Sequence, residues 1–562
     1  MAEREVIILD SDSDEDDDLR RAIQLSLQDQ STMNDSAAGT CHETRNPEPD
    51  NNSKFGGILL NRKEMEEARL SRVGKRRRNS NESSTGEPAM KRPTPQPLER
   101  AASSRYPQGI VRRTWTKGYP KSSDDITIEE IFQKETLQLA LLSSFQWDEE
   151  WLLSKLNISK TRILLLAFAA NDEQKQTMRE NAPPNIRFCF PPMRGPGSMH
   201  SKLQLLKFPK YLRIVIPTGN LVPYDWGETG VMENMVFLID LPRLEREGGS
   251  EMTSFGENVT NFLTASGVDD AMVKSLSNYD FSATKDLGFV CSIPGGHTGD
   301  TLRRVGYCGL GETVRGLGLA TDTPVEVDLA CASLGSINGD LINAIYNACQ
   351  GKPSPPALLA RSSGFCSLTD AHLPGDDGMQ EYIARAGRKL KNKEMRPAER
   401  LRDRFRIYFP TDQTVSKSKG GRQSAGTICV QAKWWRSPSF PKELVRDCVN
   451  SRDGLLMHSK IIFVRRPAET WRIGEKSCTG WAYVGSANLS ESAWGRVVKD
   501  RETGDAKMSC RNWECGVIVP VHGNPGTGGD FSMFSGVVPV PMKIPGHPYE
   551  KTDEPWFFLG DH

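Results

Sequence analysis

The tripeptide His-Ser-Lys occurs twice in this chain, at His200-Ser201-Lys202 and at His458-Ser459-Lys460. Each copy runs into an apolar stretch and then a turn made of a small residue, Asn and Leu. The first copy reaches Thr218-Gly219-Asn220-Leu221, the second Ser486-Ala487-Asn488-Leu489. Farther on, Glu233-Asn234-Met235-Val236 is answered by Glu514-Cys515-Gly516-Val517. Only 8 histidines are present in the chain, so two of them in one ordered pattern point to an internal duplication. Two halves that each supply His, Lys, Asn and Glu are expected to build one active site across a pseudo-twofold axis.

Length agrees with a duplicated architecture, because 562 residues are too many for one hydrophobic core. The apolar stretches are continuous rather than alternating, at residues 162–168 and in the runs starting at Tyr211 and Met235. The second half repeats them at residues 460–464, 481–484 and 516–521. Strands apolar on both faces belong to sheets covered on both sides, which is an α/β layered arrangement. The expected fold class is therefore α/β, with two pseudo-symmetric α/β/α sandwich domains preceded by a disordered tail. The tail is assigned to residues 1–105, the first domain to 106–300 and the second to 301–562. Residues 136–156 read as a helix with an apolar stripe, residues 338–350 as another helix. Residues 364–400 look like an exposed excursion, and residues 416–426 like a mobile basic loop.

Formal net charge is zero, but it conceals an acidic run over residues 10–18 and basic clusters at 75–78 and 91–92. Local charge, not net charge, is the guide to partners here. Residues 1–105 carry few aromatics and cannot bury enough apolar surface to offset the entropy of ordering. Within them, Val6-Ile7-Ile8-Leu9 followed by acids and serines resembles a SUMO-interacting motif, which adds a strand to a sheet edge. Leu19, Ala22, Ile23 and Ser26 share one helical face behind an acidic lead-in. That segment resembles a ubiquitin-interacting motif; an amphipathic helix docking on its own catalytic domain is the alternative. The paired basic clusters match a bipartite nuclear localisation signal or a polybasic contact to DNA phosphates, and the nucleus is the expected compartment. The 12 cysteines show no zinc-ligand spacing and are expected to be reduced. No apolar run approaches bilayer-spanning length, so no membrane association is expected.

In extended chain, residues two apart project to the same side, so each His and its Lys are expected to point together. Two lysines and two asparagines suit the nonbridging oxygens of a phosphate and the charge of a pentavalent transition state. One histidine can attack phosphorus while another protonates the leaving oxygen. No carboxylate cluster suited to magnesium accompanies them, so metal-independent chemistry without a cofactor is expected. A lone His-x-Lys pair would be ordinary strand sequence; the weight rests on its ordered repetition.

The doubled His-x-Lys…Asn pattern resembles the phospholipase D superfamily, whose usual motif continues with an Asp where this chain has Lys207 and Arg465. Together with Ser-Ala-Asn-Leu-Ser-Glu-Ser-Ala-Trp-Gly at residues 486–495 and Ala-Ser-Leu-Gly-Ser at 332–336, the departure resembles the tyrosyl-DNA phosphodiesterase family over most of residues 106–562. The resemblance implies a monomeric DNA-repair hydrolase that frees DNA 3′ ends from a topoisomerase I peptide, and from other 3′ adducts. It implies His200 as nucleophile, His458 as general acid and base, and Lys202, Lys460, Asn220 and Asn488 around the phosphoryl oxygens. Glu514 would orient His200, and Glu233 would orient His458. Ser333 and Ser336 would bind the phosphate backbone of single-stranded DNA, although Ser336 also suits a helix N-cap. The aromatic that stacks on a base ahead of the first motif in some relatives is missing, since residues 193–199 contain none. Trp434 and Trp435 are candidates to replace it, or else form a buried pair. The rivals are another phosphodiesterase of the superfamily, acting on lipid or as an endonuclease, and a ubiquitin- and SUMO-binding adaptor that only reads DNA ends.

Overall fold

The computed structural model describes residues 104–245, 251–352, 401–466, 471–473, 476–522 and 531–558, together with a short pairing of Lys54–Phe55 with Ile58–Leu59. The SUMO-like, ubiquitin-motif-like and basic segments of the first hundred residues, and the excursion at 364–400, lie outside the described residues.

Two mixed sheets with the same strand order carry the fold. The first uses β1 (Ile110–Thr114), β2 (Asp125–Ile126), β3 (Leu139–Ser143), β4 (Arg162–Leu166), β5 (Ile186–Cys189), β6 (Gln204–Lys207), β7 (Tyr211–Pro217) and β8 (Met235–Pro242), in the order β2-β1-β8-β7-β6-β3-β4-β5. The second uses β9 (Gly288–Ser292), β10 (Glu326–Ala330), β11 (Phe405–Phe409), β12 (Val445–Asp447), β13 (Ile461–Arg465), β14 (Lys476–Gly485) and β15 (Glu514–His522), in the order β9-β15-β14-β13-β10-β11-β12. From β1 to β5 in one sheet and β9 to β12 in the other, strand directions also agree. The first four pairings are antiparallel, and the last two, β3-β4-β5 and β10-β11-β12, are parallel. The duplication expected from the repeats is thus a duplication of topology. The second sheet takes its first strand upstream of residue 300.

The central strands are buried along almost their whole length, and successive side chains alternate between two layers. Ile214, Ile216 and Phe237 from the first sheet share one cluster with Ile461, Phe463, Val484 and Val517 from the second. The intervening Val215, Val236 and Leu238 face an outer cluster with Leu152 of α1 (Glu149–Ser154). Correspondingly, Ile462, Val464, Tyr483 and Ile518 face helices α3 (Gly306–Gly316) and α4 (Gly339–Cys349). Helix α2 (Ser254–Ala265) inserts Phe255 and Phe262 edge-on against Phe289 of β9. Each fully buried side chain of this kind contributes about 1.5–3 kcal/mol, so the shared cluster holds the halves face to face.

Two expectations are corrected. Residues 136–156 do not form one helix: Leu139–Ser143 is the β3 strand, and helix occurs only at Glu149–Ser154. Leucine and alanine favour helix locally, but β3 is buried between β6 and β4, and tertiary pairing overrides propensity. Residues 416–426, expected as a mobile basic loop, instead hold the end of a short helix at Ser416 and a 3₁₀ turn over Arg422–Ser424. The Gly339–Cys349 helix appears as expected. Among the described residues, no helix is long and apolar enough to cross a membrane.

Candidate active site

Both His-Ser-Lys triplets lie in extended chain immediately before a central strand, β6 in one half and β13 in the other. In each triplet the lysine folds back on its histidine's backbone. Lys202 Nζ donates to the His200 carbonyl at 2.9 Å, and Lys460 Nζ to the His458 carbonyl at 2.6 Å. Lys460 also crosses the seam to the Thr218 carbonyl at 3.2 Å. His200, Lys202, Asn220, His458 and Lys460 are all buried. Each histidine feels the lysine of the opposite half, so the two copies share one site, as the repetition implies.

His200 and Glu514 meet across the seam, with Nδ1 and Oε2 2.9 Å apart. Glu514 is itself held, accepting from Ser486 Oγ at 2.5 Å and from Asn512 Nδ2 at 3.2 Å. Asn512 Oδ1 accepts from the Ser198 N–H, and His200 N–H donates to the Trp513 carbonyl. The segment leading into β15 therefore carries the first histidine on both its backbone and its ring.

The carboxylate on His458 is not Glu233. His458 Nδ1 lies 3.1 Å from both oxygens of Asp225. Asp225 also accepts the Asn220 N–H at 2.6 Å and Asn234 Nδ2 at 3.1 Å. Glu233 meets His458 only through its backbone, its carbonyl accepting the His458 N–H. Its side chain points into the seam between the halves, where it pairs with Arg452 at 3.4 Å; Arg452 pairs with Asp125 as well. The physical reason is local pairing. Met232–Glu233 joins Leu456–Met457 as a two-residue parallel ladder, which turns the Glu233 side chain away from the ring. Asp225 sits in a turn that has no counterpart five residues after Asn488, where Ala493 stands. Repetition between the halves could not find it.

Asn488 Oδ1 accepts the N–H groups of Ala332 and Ser333, at 3.3 and 3.1 Å. Ser333 thus belongs to the loop that borders the site. Ser336 is exposed on the same loop, and the N-cap of the following helix is Asn338 rather than Ser336. The aromatic beside His200 is Phe145, with the two ring centroids 5.1 Å apart. It follows β3, far from the motif in sequence, and no motif-based reading pointed to it. Trp435 is buried against Phe440 and Tyr549, which makes it a core residue. Arg465, in the place of the superfamily Asp, is buried in an ion cluster with Asp328 at 2.9 Å and Glu326 at 2.7 Å.

Burial dominates the electrostatics. It pushes the His458 ring down to about 4 against the pull of Asp225, and lowers His200 against the pull of Glu514. It also pushes Lys202 down to about 8 and Lys460 well below the usual lysine range. Burial alone would raise the Asp225 carboxyl, but His458 and Lys460 hold it below the usual carboxylate range. Four buried basic side chains facing two carboxylates are suited to an anion, whose charge favours every protonated form.

A family model described as tyrosyl-DNA phosphodiesterase matches residues 110–550, and a ubiquitin interaction motif model matches residues 14–30. Tyrosyl-DNA phosphodiesterase 1 of Drosophila melanogaster is 22% identical over 493 residues, 83% of this chain and 75% of that protein. The Saccharomyces cerevisiae protein of the same name is 22% identical over 486 residues, 78% of this chain and 81% of that one. A crystal structure of the yeast tyrosyl-DNA phosphodiesterase superposes with a TM-score of 0.52 at 18% identity, covering 80% of this chain and 100% of the other. At that identity the superposition establishes the fold.

Proposed function

The chain belongs to the tyrosyl-DNA phosphodiesterase family, whose members are phosphodiester hydrolases, and from that premise we propose how its own residues break the bond between DNA and a protein adduct. In the first step the His200 Nε2 lone pair attacks phosphorus at a DNA 3′ end. The bond to the tyrosine oxygen breaks, and His458 gives that oxygen its proton. In the second step His458 takes a proton from water, the water oxygen bonds phosphorus, and the bond to His200 breaks. A 3′-phosphate is left on the DNA.

The observation that carries this reading is the pair of cross-seam contacts His200–Glu514 and His458–Asp225. Each fixes Nδ1 as the donating nitrogen and leaves Nε2 for chemistry. Lys202, Lys460, Asn220 and Asn488 supply donors to the phosphoryl oxygens, a role whose loss typically costs about 10²–10³ in rate per donor. Ser333 and Ser336 border the site on the side assigned to the DNA strand. The test is cleavage of a 3′-phosphotyrosyl oligonucleotide in EDTA by the full chain. His200→Ala should abolish it, and substantial turnover by that variant would rule out the nucleophile.

The adduct proposed is a topoisomerase I peptide, with other 3′ blocking groups accepted, in a monomeric nuclear enzyme. The nuclear assignment rests on the basic clusters at 75–78 and 91–92. The motif at residues 14–30 would bring the enzyme to ubiquitylated adducts, and residues 6–15 would add a SUMO contact. Titrating a peptide of residues 1–35 with ubiquitin should shift Leu19, Ala22 and Leu25; no shift at millimolar ubiquitin would remove that arm.

A further inference from the structure

The two site asparagines are held by different means. Strands β3 and β10 occupy equivalent places, each antiparallel to the strand that follows a His-Ser-Lys triplet. The loops leaving these strands, at residues 144–146 and 331–333, meet Asn220 and Asn488 respectively. In the second half the loop uses two backbone N–H groups, both donating to Asn488 Oδ1. In the first half the loop gives one backbone donor among the described residues, the Gln146 N–H, 3.4 Å from Asn220 Oδ1. The rest of the hold is side chain. Asn220 Nδ2 donates to Gln146 Oε1 at 3.3 Å, and the Tyr224 hydroxyl donates to the same oxygen at 2.6 Å.

The directions of these bonds follow from one group that cannot be reversed. A backbone N–H is always a donor, so it requires the oxygen of the Asn220 amide on its side. The Asn220 nitrogen then faces Gln146, which must offer Oε1. With Oε1 facing it, the Tyr224 hydroxyl donates. Burial raises the Tyr224 phenol well above its ordinary value, so the proton it donates is retained. Asn220 spends one of its two amide protons on Gln146 and keeps one, whereas the Asn488 amide spends neither on Ala332 or Ser333. Asn220 is in turn anchored through its backbone, to Asp225 by N–H and to Trp226 by carbonyl. The amide torsion is the freedom left, and Gln146 occupies it.

We propose that Gln146 and Tyr224 are positioning residues that set the orientation of the Asn220 amide, so that its remaining N–H is presented to the scissile phosphate. The proposal rests on the reading of Asn220 given above. It predicts an asymmetry between the halves, because a side-chain device can be removed by substitution and a backbone device cannot.

The test is single-turnover cleavage of a 3′-phosphotyrosyl oligonucleotide by the full chain. Gln146→Met keeps the volume and removes the hydrogen bonds. It should lower the cleavage rate about tenfold or more, with KM changed less than threefold. Tyr224→Phe should lower the rate less, and the double variant should be no slower than Gln146→Met, because Tyr224 acts through Gln146. Sulfur replacing the nonbridging oxygen that Asn220 contacts should slow the wild type more than it slows Gln146→Met. A merely structural role would not produce that stereospecific loss. Melting temperature checks the fold, and Tyr224→Phe, which deletes one oxygen, keeps the question open to refutation if Gln146→Met does not fold. Wild-type turnover in the same assay reports on the parent reading separately. An active wild type with Gln146→Met at the same rate, or additive effects in the double variant, overturns the proposal.

Discussion

His458 is paired with a carboxylate that lies five residues past Asn220, and this choice has consequences that Glu233 would not. Asp225 binds the ring and the Asn220 N–H with the same carboxylate, so one side chain positions both the His458 ring and the backbone of Asn220. Asp225→Asn would keep the shape but permit the wrong tautomer of His458. In a hydrolase that depends on an Asp-oriented histidine such a change costs about 10⁴ in kcat. We expect a loss of roughly 10²–10⁴ here, heaviest in the hydrolysis of the intermediate. Denaturing gels should then show DNA covalently linked to Asp225→Asn and not to the wild type. Glu233→Gln should leave the pH profile of cleavage in place, since burial and Arg452 govern the Glu233 carboxyl, pushed up to about 7, rather than the ring. A shifted profile in Glu233→Gln would return it to the role expected from the repeat.

At the scale of elements, α1 begins with an unusual residue. Asp148 caps the helix, accepting from the Trp151 N–H, while Glu149, with both carboxyl oxygens buried, joins Trp147, Leu152, Leu165 and Phe188 in lining a small apolar cavity of about 20 Å³. Neither oxygen has a hydrogen-bond partner. Burial pushes this carboxyl up to about 8, with a smaller push from Asp148. The folded protein then holds a proton that the unfolded chain releases near its ordinary value of 4.5. Stability is full below that value and declines as pH rises towards 8. Glu149→Gln removes the titrating group, so it should raise the melting temperature at pH 8.5 more than at pH 5.5. Equal shifts at the two pH values would show that the carboxyl finds water in the folded state. The same element shows where local reading fails. The run around β3 has helical composition, and only its place between β6 and β4 makes it a strand.

The whole molecule depends on contacts between halves that no local pattern announces. Arg452 from the second half reaches Asp125 and Glu233 of the first, and the side chains involved are nearly or fully buried. Removing one partner of a buried ionic cluster leaves charge uncompensated, at about 3–5 kcal/mol. Arg452→Met should show that loss in denaturant unfolding, and adding Asp125→Asn with Glu233→Gln should recover most of it. If Arg452→Met is neutral, the seam is held by the shared apolar cluster alone.

How much was legible in the residues follows from this division. The order of His, Lys, Asn and Glu along the chain, met twice, carried the duplication, the shared site and six of its side chains, because an extended segment entering a buried strand has few ways to project its residues. Glu514 was legible for the same reason, standing at the start of β15. Asp225, Gln146, Tyr224 and Phe145 were not. They lie in turns and loops outside the repeated pattern, and each half solves the problem of holding its Asn and His differently. Spacing along a chain states which side chains can share a face. Which carboxylate fills the space behind a histidine is decided only when two sheets pack and the seam between them closes, since the winning partner is whichever group the far half leaves within hydrogen-bond reach.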